Sequence, residues 1–363
     1  MCELDLPLKF AQKLYNEFAI RHPNAFYLRT RQRGMQNWDG KIHYITKTGQ
    51  FKIGLLPKVY DMCIEMGIKP KVVDMRQPLP KVSKVVTKIG KYKLRPEQEK
   101  AVKAVINNTI GGKPFHIGVL DYTVNAGKTL IMSSLYLSYK KQLKTLLITN
   151  DSDWLNQARE EFKQYLPGED ITFVQGKVLN WSNFTIGMVQ SISRNMRFYQ
   201  KELSQIDMVL IDEADQGGSR QYQNVITRLF NTRIRIGLSG TIYMSKLAKD
   251  KVKNMNLECF FGKVLAEFKL RDSIKKGYST KTVVKMVPGK PWYGNWESDC
   301  ISYKEIYDDS ITNSYTAWLM AYSRLRWNIN QGRYPALVVC KHIAHCENLY
   351  KFFKKKLGDA YNI

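Results

Sequence analysis

The chain has 363 residues, 44% of them hydrophobic, enough for two or three ordinary cores. Lysine and arginine number 57 against 32 acids, a formal charge of +25, which points to a polyanionic partner, nucleic acid above all. No run reaches the roughly 20 apolar residues of a membrane span, and the acid-bearing start "MCELDLPLKF" is no secretory signal, so membrane-spanning and secreted classes are set aside.

Residues 1–85 read as a small basic α+β domain, with 15 lysines and arginines against 7 acids. "LPLKFAQKLYNEFAI" places Leu8, Ala11, Leu14 and Phe18 at helical spacing. Strand-like runs follow in "AFYLRTR" and "NWDGKIHYI", then a "TKTG" turn and "FKIGLL", the last two runs forming a hairpin around Gly49. "LPKVYDMCIEMGI" is a second helix, and "DMRQPLPKVSK", with two prolines, reads as a linker.

From 86 to 262 the pattern changes. The apolar runs "HIGVL", "TLLIT", "ITFV", "FTIGMV", "DMVLID" and "IRIGLS" alternate with amphipathic stretches such as "SDWLNQAREEFKQYL". Strands that are apolar throughout, separated by helices, predict a doubly wound parallel sheet, buried on both faces.

Three stretches at the ends of these strands carry chemistry. The first is "DYTVNAGKTL". A strand, a short loop and a helix are the context a phosphate-binding loop requires, though Tyr122 stands where the usual pattern has its first glycine. Backbone N–H groups from Thr123, Val124, Asn125, Ala126 and Gly127 would wrap phosphates at the helix start. Lys128 would reach the β- and γ-phosphates, and the Thr129 hydroxyl would hold magnesium. The second is "VLIDEADQ", where an apolar strand delivers Asp212 and Glu213 to the same sheet edge. Asp212 is suited to support Mg2+, and Glu213 to orient or deprotonate an attacking water. The third is "IGLSGT", in which the hydroxyls of Ser239 and Thr241 are placed to sense the terminal phosphate.

Residues 263–363 are expected to hold a linker and the start of another α/β unit. The run "ISYKEIYDDSITNSYTAWLMAYSRLRW" reads as one long helix, after the aromatic stretch "KPWYGNW". "ALVVC" then reads as a strand and "CENLYKFFKKKLG" as a helix. One strand and one helix cannot cover both faces of a parallel sheet. The expectation is therefore an incomplete lobe, truncated or completed by a second chain. The cluster Cys340, His342, His345, Cys346 packs four metal-binding side chains into seven residues. Zinc sites split their ligand pairs across a longer loop, so a metal reading is set aside. The other cysteines are irregularly spaced, as suits reduced thiols in the cytoplasm.

The series "AGKT", "DEAD" and "LSGT" resembles motifs I, II and III of superfamily 2 helicases. "YKLRPEQEKAV" resembles their adenine-reading segment, which implies a role for Gln98 on the adenine edge with Arg95 nearby. "TIGMVQSIS" resembles the segment whose Gln190 and Ser191 would touch a nucleic-acid backbone. "LLITNDSDWLNQAREEF" resembles motif Ia, but has Asn150-Asp151 where DEAD-box RNA helicases have Pro-Thr. With "NWDGKIHYI" and "VVCKHIAH" the whole pattern resembles the UvsW-type helicases of tailed phages. That resemblance implies RecA-like lobes, ATP and Mg2+ as cofactors, and a DNA helicase that remodels branched DNA in phage replication, recombination and repair. It also implies a DNA-gripping N-terminal domain, here with Arg29, Arg31, Arg33, Trp38 and Lys41 as candidates.

The family's second lobe supplies arginine fingers, worth roughly 10³–10⁵ in rate. No such motif follows Thr241, so the chain by itself is expected to bind ATP and hydrolyse it slowly. RNA stays open as a substrate, because nothing in the motifs reads a 2′-hydroxyl. A non-catalytic nucleic-acid-binding protein that keeps an inert ATPase fold is the alternative from another class.

Overall fold

The structure is a computed structural model that describes residues 2–32, 34–139, 142–175, 181–242, 248–281, 302–333 and 336–358. By contacts the chain divides into two units, Met1–Lys281 and Thr282–Ile363.

The first unit is built on a seven-stranded sheet. Its strands are β1 (His116–Tyr122), β2 (Thr145–Thr149), β3 (Ile171–Val174), β4 (Phe184–Met188), β5 (Met208–Asp212), β6 (Ile234–Ser239) and β7 (Val264–Phe268). They lie in the order β7-β1-β6-β5-β2-β4-β3, and every neighbouring pair is parallel. This is the doubly wound parallel sheet that the alternation of runs predicts, in the form of the RecA-like lobe that the resemblance implies.

Alternate side chains of each strand enter different cores. Leu120 and Tyr122 of β1, Leu147 of β2 and Leu210 of β5 face a layer that includes Val102, Ile131, Leu135 and Phe162. Val119, Leu146, Ile148, Val209 and Ile211 face the opposite layer, with Ile192, Val225, Leu257 and Phe261. A period of two with both phases apolar is what a fully covered sheet demands.

The N-terminal segment adds to the second of these layers: Leu14, Phe18, Ile45, Phe51, Leu55 and Val59 belong to the same core as β2 and β5. Helices form at Leu8–Glu17 and Leu56–Glu65, as their spacing predicts. The Thr46–Gln50 turn closes through Ile45 and Phe51, with Gly49 in the left-handed region (φ 83°). The prolines of the linker leave residues 69–85 without regular structure. The linker is nonetheless fixed: Asp74 pairs with Arg76 and Arg233, and Arg233 donates to the carbonyls of Arg76 and Gln77.

Five features differ from the sequence reading. The run "FKIGLL" continues from Phe51 into a 3₁₀ turn at Ile53–Leu55 instead of a hairpin strand, and Lys41–His43 pairs with Ala19–Arg21. Residues 25–31 form a helix, not a strand. Ala25 is buried and Leu28 half-buried, a spacing of three that suits a helix, and Arg29 and Arg31 favour its C-terminal end. β7 was not expected; it adds to β1 at the sheet's edge. The long helix expected over 301–327 is interrupted. A short helix, Tyr303–Tyr307, runs into a π-turn at Asp308–Thr312, and a new helix, Tyr315–Asn330, starts behind Ser314. The Ser314 hydroxyl accepts the Ala317 N–H, a cap that competes with a continuous helix. Finally, 336–340 is not paired as a strand, and Leu337 and Val339 are 89% and 82% exposed.

The second unit packs the helix Ile343–Leu357 through Leu349, Phe352, Phe353 and Leu357 against Trp318, Tyr322 and Leu325 of the Tyr315–Asn330 helix. No described helix is long and apolar enough to cross a membrane.

Candidate active site

Because all seven strands run the same way, β1, β6 and β5 end side by side, and their C-terminal ends deliver the three motifs to one edge. The loop after β1 turns through two left-handed residues, Asn125 (φ 62°) and Gly127 (φ 75°). The helix Lys128–Ser138 then starts directly behind Gly127, which makes no side-chain cap. The Leu130 N–H bonds the Gly127 carbonyl at 3.1 Å, and the positive end of the helix faces the loop, which suits an anion there. A Cβ at Gly127 would lie 2.3 Å from Gln98 Nε2, the end of a side chain, so it would displace the carboxamide that holds the loop, while the left-handed backbone itself calls for glycine.

Tyr122 resolves the question posed by the missing glycine. It is the last residue of β1, wholly buried, and its hydroxyl donates to the Glu97 carbonyl at 2.7 Å. It lies beneath the loop as a support, while the tight backbone is made by residues 125–127.

Arg95 and Gln98, for which the resemblance implies an adenine contact, hold the same loop. Arg95 Nη2 donates to the Asn125 carbonyl at 3.0 Å, and Gln98 Nε2 to the Ala126 carbonyl at 2.8 Å. Gln98 Oε1 accepts the Arg95 backbone N–H at 2.8 Å, so both ends of its carboxamide are engaged. The Arg95 guanidinium also lies 4.3 Å from the centre of the Tyr278 ring, and Lys276 pairs with Glu97 at 2.7 Å. Sequence reasoning missed Tyr278, Lys276 and Glu97, and no local signal marks them.

At the centre, Lys128 Nζ lies 3.3 Å from Glu213 Oε1 and 3.6 Å from Asp212 Oδ1. The second distance is an ion-pair separation, too long for a hydrogen bond, and Asp212 Oδ1 has no hydrogen-bond partner although it is buried. Burial pushes the Asp212 carboxyl above its ordinary value; Lys128 opposes the shift and Glu213 adds to it. An orphaned buried carboxylate oxygen with a raised pKa fits a cation site. Thr129 is half-buried in the first turn of the Lys128–Ser138 helix.

Glu213 has φ 51°. Together with Asn125 it makes up the non-glycine residues with left-handed backbone among those described. Such a backbone costs about 1–3 kcal/mol per residue and collects where function holds it.

The other motifs connect to this centre through hydrogen bonds. Ser239 Oγ donates to Asp215 Oδ1 at 3.1 Å, and the Thr241 N–H donates back to Ser239 Oγ at 3.2 Å. Asn150 Nδ2 donates to Gln216 Oε1, and Gln190 Nε2 to the Asn150 carbonyl, which chains β4, β2 and β5 at one edge. Asp151, beside Asn150, caps the Ser152–Tyr165 helix by accepting the Asp153 and Trp154 N–H groups. Ser191 is half-buried.

Of the N-terminal candidates, Arg29, Arg31 and Lys41 are exposed. Trp38 is half-buried, donates its indole N–H to the Lys41 carbonyl and meets His22 edge-on. Arg33 lies outside the described residues. No group of three or more His, Cys, Asp or Glu side chains among the described residues is placed to hold a metal ion.

Residues 91–244 match the family described as "Type III restriction enzyme, res subunit". The chain is 20% identical over 354 residues to the ATP-dependent DNA helicase uvsW of Enterobacteria phage T4, covering 90% of this chain and 66% of the relative. It thus spans just under two thirds of that relative's length. A crystal structure of the UvsW helicase from bacteriophage T4 is similar with a TM-score of 0.57 at 20% identity, over 74% of this chain and 95% of that one. A second structure of T4 UvsW has a TM-score of 0.55 at 19% identity, over 98% of this chain and 70% of that one. The resemblance to superfamily 2 helicases of the UvsW type, read first from the motifs, holds in the comparisons of sequence and of fold.

Proposed function

We propose that this chain is an ATP-driven DNA helicase or translocase. The observation that carries the reading is the convergence of Lys128, at the start of the helix behind β1, with Asp212 and Glu213 at the end of β5, beside the left-handed turn at Asn125 and Gly127. The similarity to a protein named as an ATP-dependent DNA helicase supports it. The finer reading, remodelling of branched DNA and strand junctions in phage replication, recombination and repair within the host cytoplasm, rests on that resemblance.

The Thr123 and Ala126 N–H groups, expected to wrap phosphates, bond the Phe268 and Thr123 carbonyls; in this reading the backbone of Val124, Asn125 and Gly127 cradles the triphosphate, and Lys128 leaves the two acids to bind its outer phosphates. Thr129 and Asp212 would hold magnesium, which supplies charge neutralisation between the β- and γ-phosphates. Glu213 orients a water on the γ-phosphorus and takes its proton as the oxygen–phosphorus bond forms. The bond to the β–γ bridging oxygen breaks, and ADP departs with those electrons. Arg95 and Gln98 hold the loop in shape beside the base. Ser239, bonded to Asp215, links the β6 loop to the acids, so that a change at the phosphate reaches the track carrying Gln190 and Ser191.

The test is ATP-driven separation of a labelled DNA fork, with a matched RNA fork as competitor. Strand separation that needs ATP and Lys128, and that DNA inhibits better than RNA, supports the reading. Separation that survives Lys128→Ala would place the motor elsewhere. Preference for the RNA fork would reassign the substrate.

A further inference from the structure

Behind β7 the helix Leu270–Lys275 runs into Lys276 and Tyr278, and both side chains reach the start of the Pro96–Ile106 helix. Lys276 Nζ donates to Glu97 Oε2 at 2.7 Å. Glu97 is buried, and its other carboxylate oxygen stands 3.4 Å from Arg95 Nε, an ion-pair separation. The Tyr278 ring centre lies 4.3 Å from the Arg95 guanidinium. Tyr278 is itself held in place. Its N–H bonds the Ser273 carbonyl at 2.9 Å, and its ring centre is 6.4 Å from that of Phe268 at the end of β7.

Arg95 matters because of where its other edge goes. Its Nη2 donates to the carbonyl of Asn125, whose backbone is left-handed. Such a conformation costs free energy and persists only where its surroundings hold it. A free arginine has many rotamers, and keeping that one bond would cost it most of them. The carboxylate beside Nε and the ring against the guanidinium remove those rotamers beforehand. The contacts therefore run unbroken from the segment after β7, through Glu97 and Arg95, to the turn at Asn125. No motif in the sequence marks Lys276 or Tyr278.

We propose that Lys276 and Tyr278 are positioning residues of the nucleotide site, bracing its phosphate turn through Glu97 and Arg95. This rests on the ATP reading above and adds to the site a segment outside the motifs. A brace acts on the turn, so it serves any ligand the turn takes, with or without a base. Linkage is reciprocal, so a ligand on the turn must also steady the segment that braces it.

The test titrates the full chain calorimetrically with two probes, ATP and inorganic tripolyphosphate, each with magnesium. Tyr278→Leu keeps apolar bulk and removes the π face, and Lys276→Gln keeps length and removes the charge. Contacts at this exposure predict affinity lower by roughly two- to fivefold in each variant, by the same factor for both probes. Glu97→Gln added to Lys276→Gln should cost little more, because the pair acts as one unit. In the wild type, bound tripolyphosphate should slow hydrogen exchange over residues 271–278. That measurement decides where a variant melts lower without ligand. Loss for ATP alone, with tripolyphosphate unaffected, would make Tyr278 a contact to the base and overturn the brace. Unchanged affinity for both probes, or unchanged exchange, overturns it as well. A wild-type chain that binds neither probe overturns the brace together with the ATP reading.

Discussion

The Tyr122 hydroxyl donates a 2.7 Å hydrogen bond to the backbone carbonyl of Glu97, joining the end of the first strand to the start of the Pro96–Ile106 helix. Burial pushes the phenol's pKa up, so it stays neutral and keeps its proton to donate. Where the usual phosphate loop has a glycine, this chain has a strut. Tyr122→Phe is expected to cost roughly 1 kcal/mol, the net worth of one buried hydrogen bond. Tyr122→Ala adds a cavity and should cost about 3–5 kcal/mol. Urea unfolding of both variants measures the difference; equal stability of Tyr122→Phe and wild type would remove the strut.

Asp212 sets stability against function. Its folded pKa is raised, so between its unfolded and folded values the folded chain binds more protons than the unfolded one. Stability therefore falls as pH rises through that window, and at neutral pH the charged carboxylate is a net burden on the fold. Asp212→Asn should raise the melting temperature at pH 7 and flatten its dependence on pH in the acid range. It should also reduce ATP turnover by roughly 10²-fold or more, as loss of a placed charge at a reacting phosphate does. A lower melting temperature for Asp212→Asn at pH 7 would contradict this.

Ser239 reaches Asp215 at 3.1 Å, from the third motif to the second. If that contact couples the phosphate site to the nucleic-acid track, Ser239→Ala should leave ATP binding nearly intact. Strand separation per ATP consumed should drop by roughly 5- to 150-fold, the range of a coupling free energy of about 1–3 kcal/mol. Parallel measurement of phosphate release and fork opening checks it. Equal loss in both would make Ser239 part of the reaction itself.

The N-terminal segment meets the Ala248–Phe261 helix at a point of very close approach. A Cβ at Gly54 would lie 2.1 Å from the Glu258 carbonyl oxygen and 2.6 Å from that of Cys259. Backbone at that distance must move, so Gly54→Ala should destabilise by about 1–3 kcal/mol or more. Hydrogen exchange should report the loss first in the Leu56–Glu65 and Ala248–Phe261 helices.

The RecA-like sheet was legible because strands covered on both faces are apolar in both phases, as Met208–Ile211 shows. The site centre was legible because Lys128 and Asp212 stand at strand ends in a fixed order. β7 was hidden for a physical reason: at the edge it pairs only with β1, keeps Glu267 exposed, and is bulged between Val264 and Ala266. Contacts such as Arg95–Tyr278 or Lys276–Glu97 join residues far apart in the chain and exist only once the fold is made. The Ala25–Arg31 helix was likewise hidden, because the run "AFYLRTR" carries aromatic residues that suit a strand as well as a helix.

Calorimetric titration of the chain with ATP and magnesium, wild type beside Lys128→Ala, tests the central claim most directly. Lys128 is the cation at the turn, and a charge-assisted contact is worth about 1.5–3 kcal/mol, so its loss should weaken ATP by roughly tenfold or more. Wild type should bind with one-to-one stoichiometry, while DNA affinity remains the same in both proteins. No saturable binding by the wild type, or equal binding by Lys128→Ala, would contradict the assignment of this site.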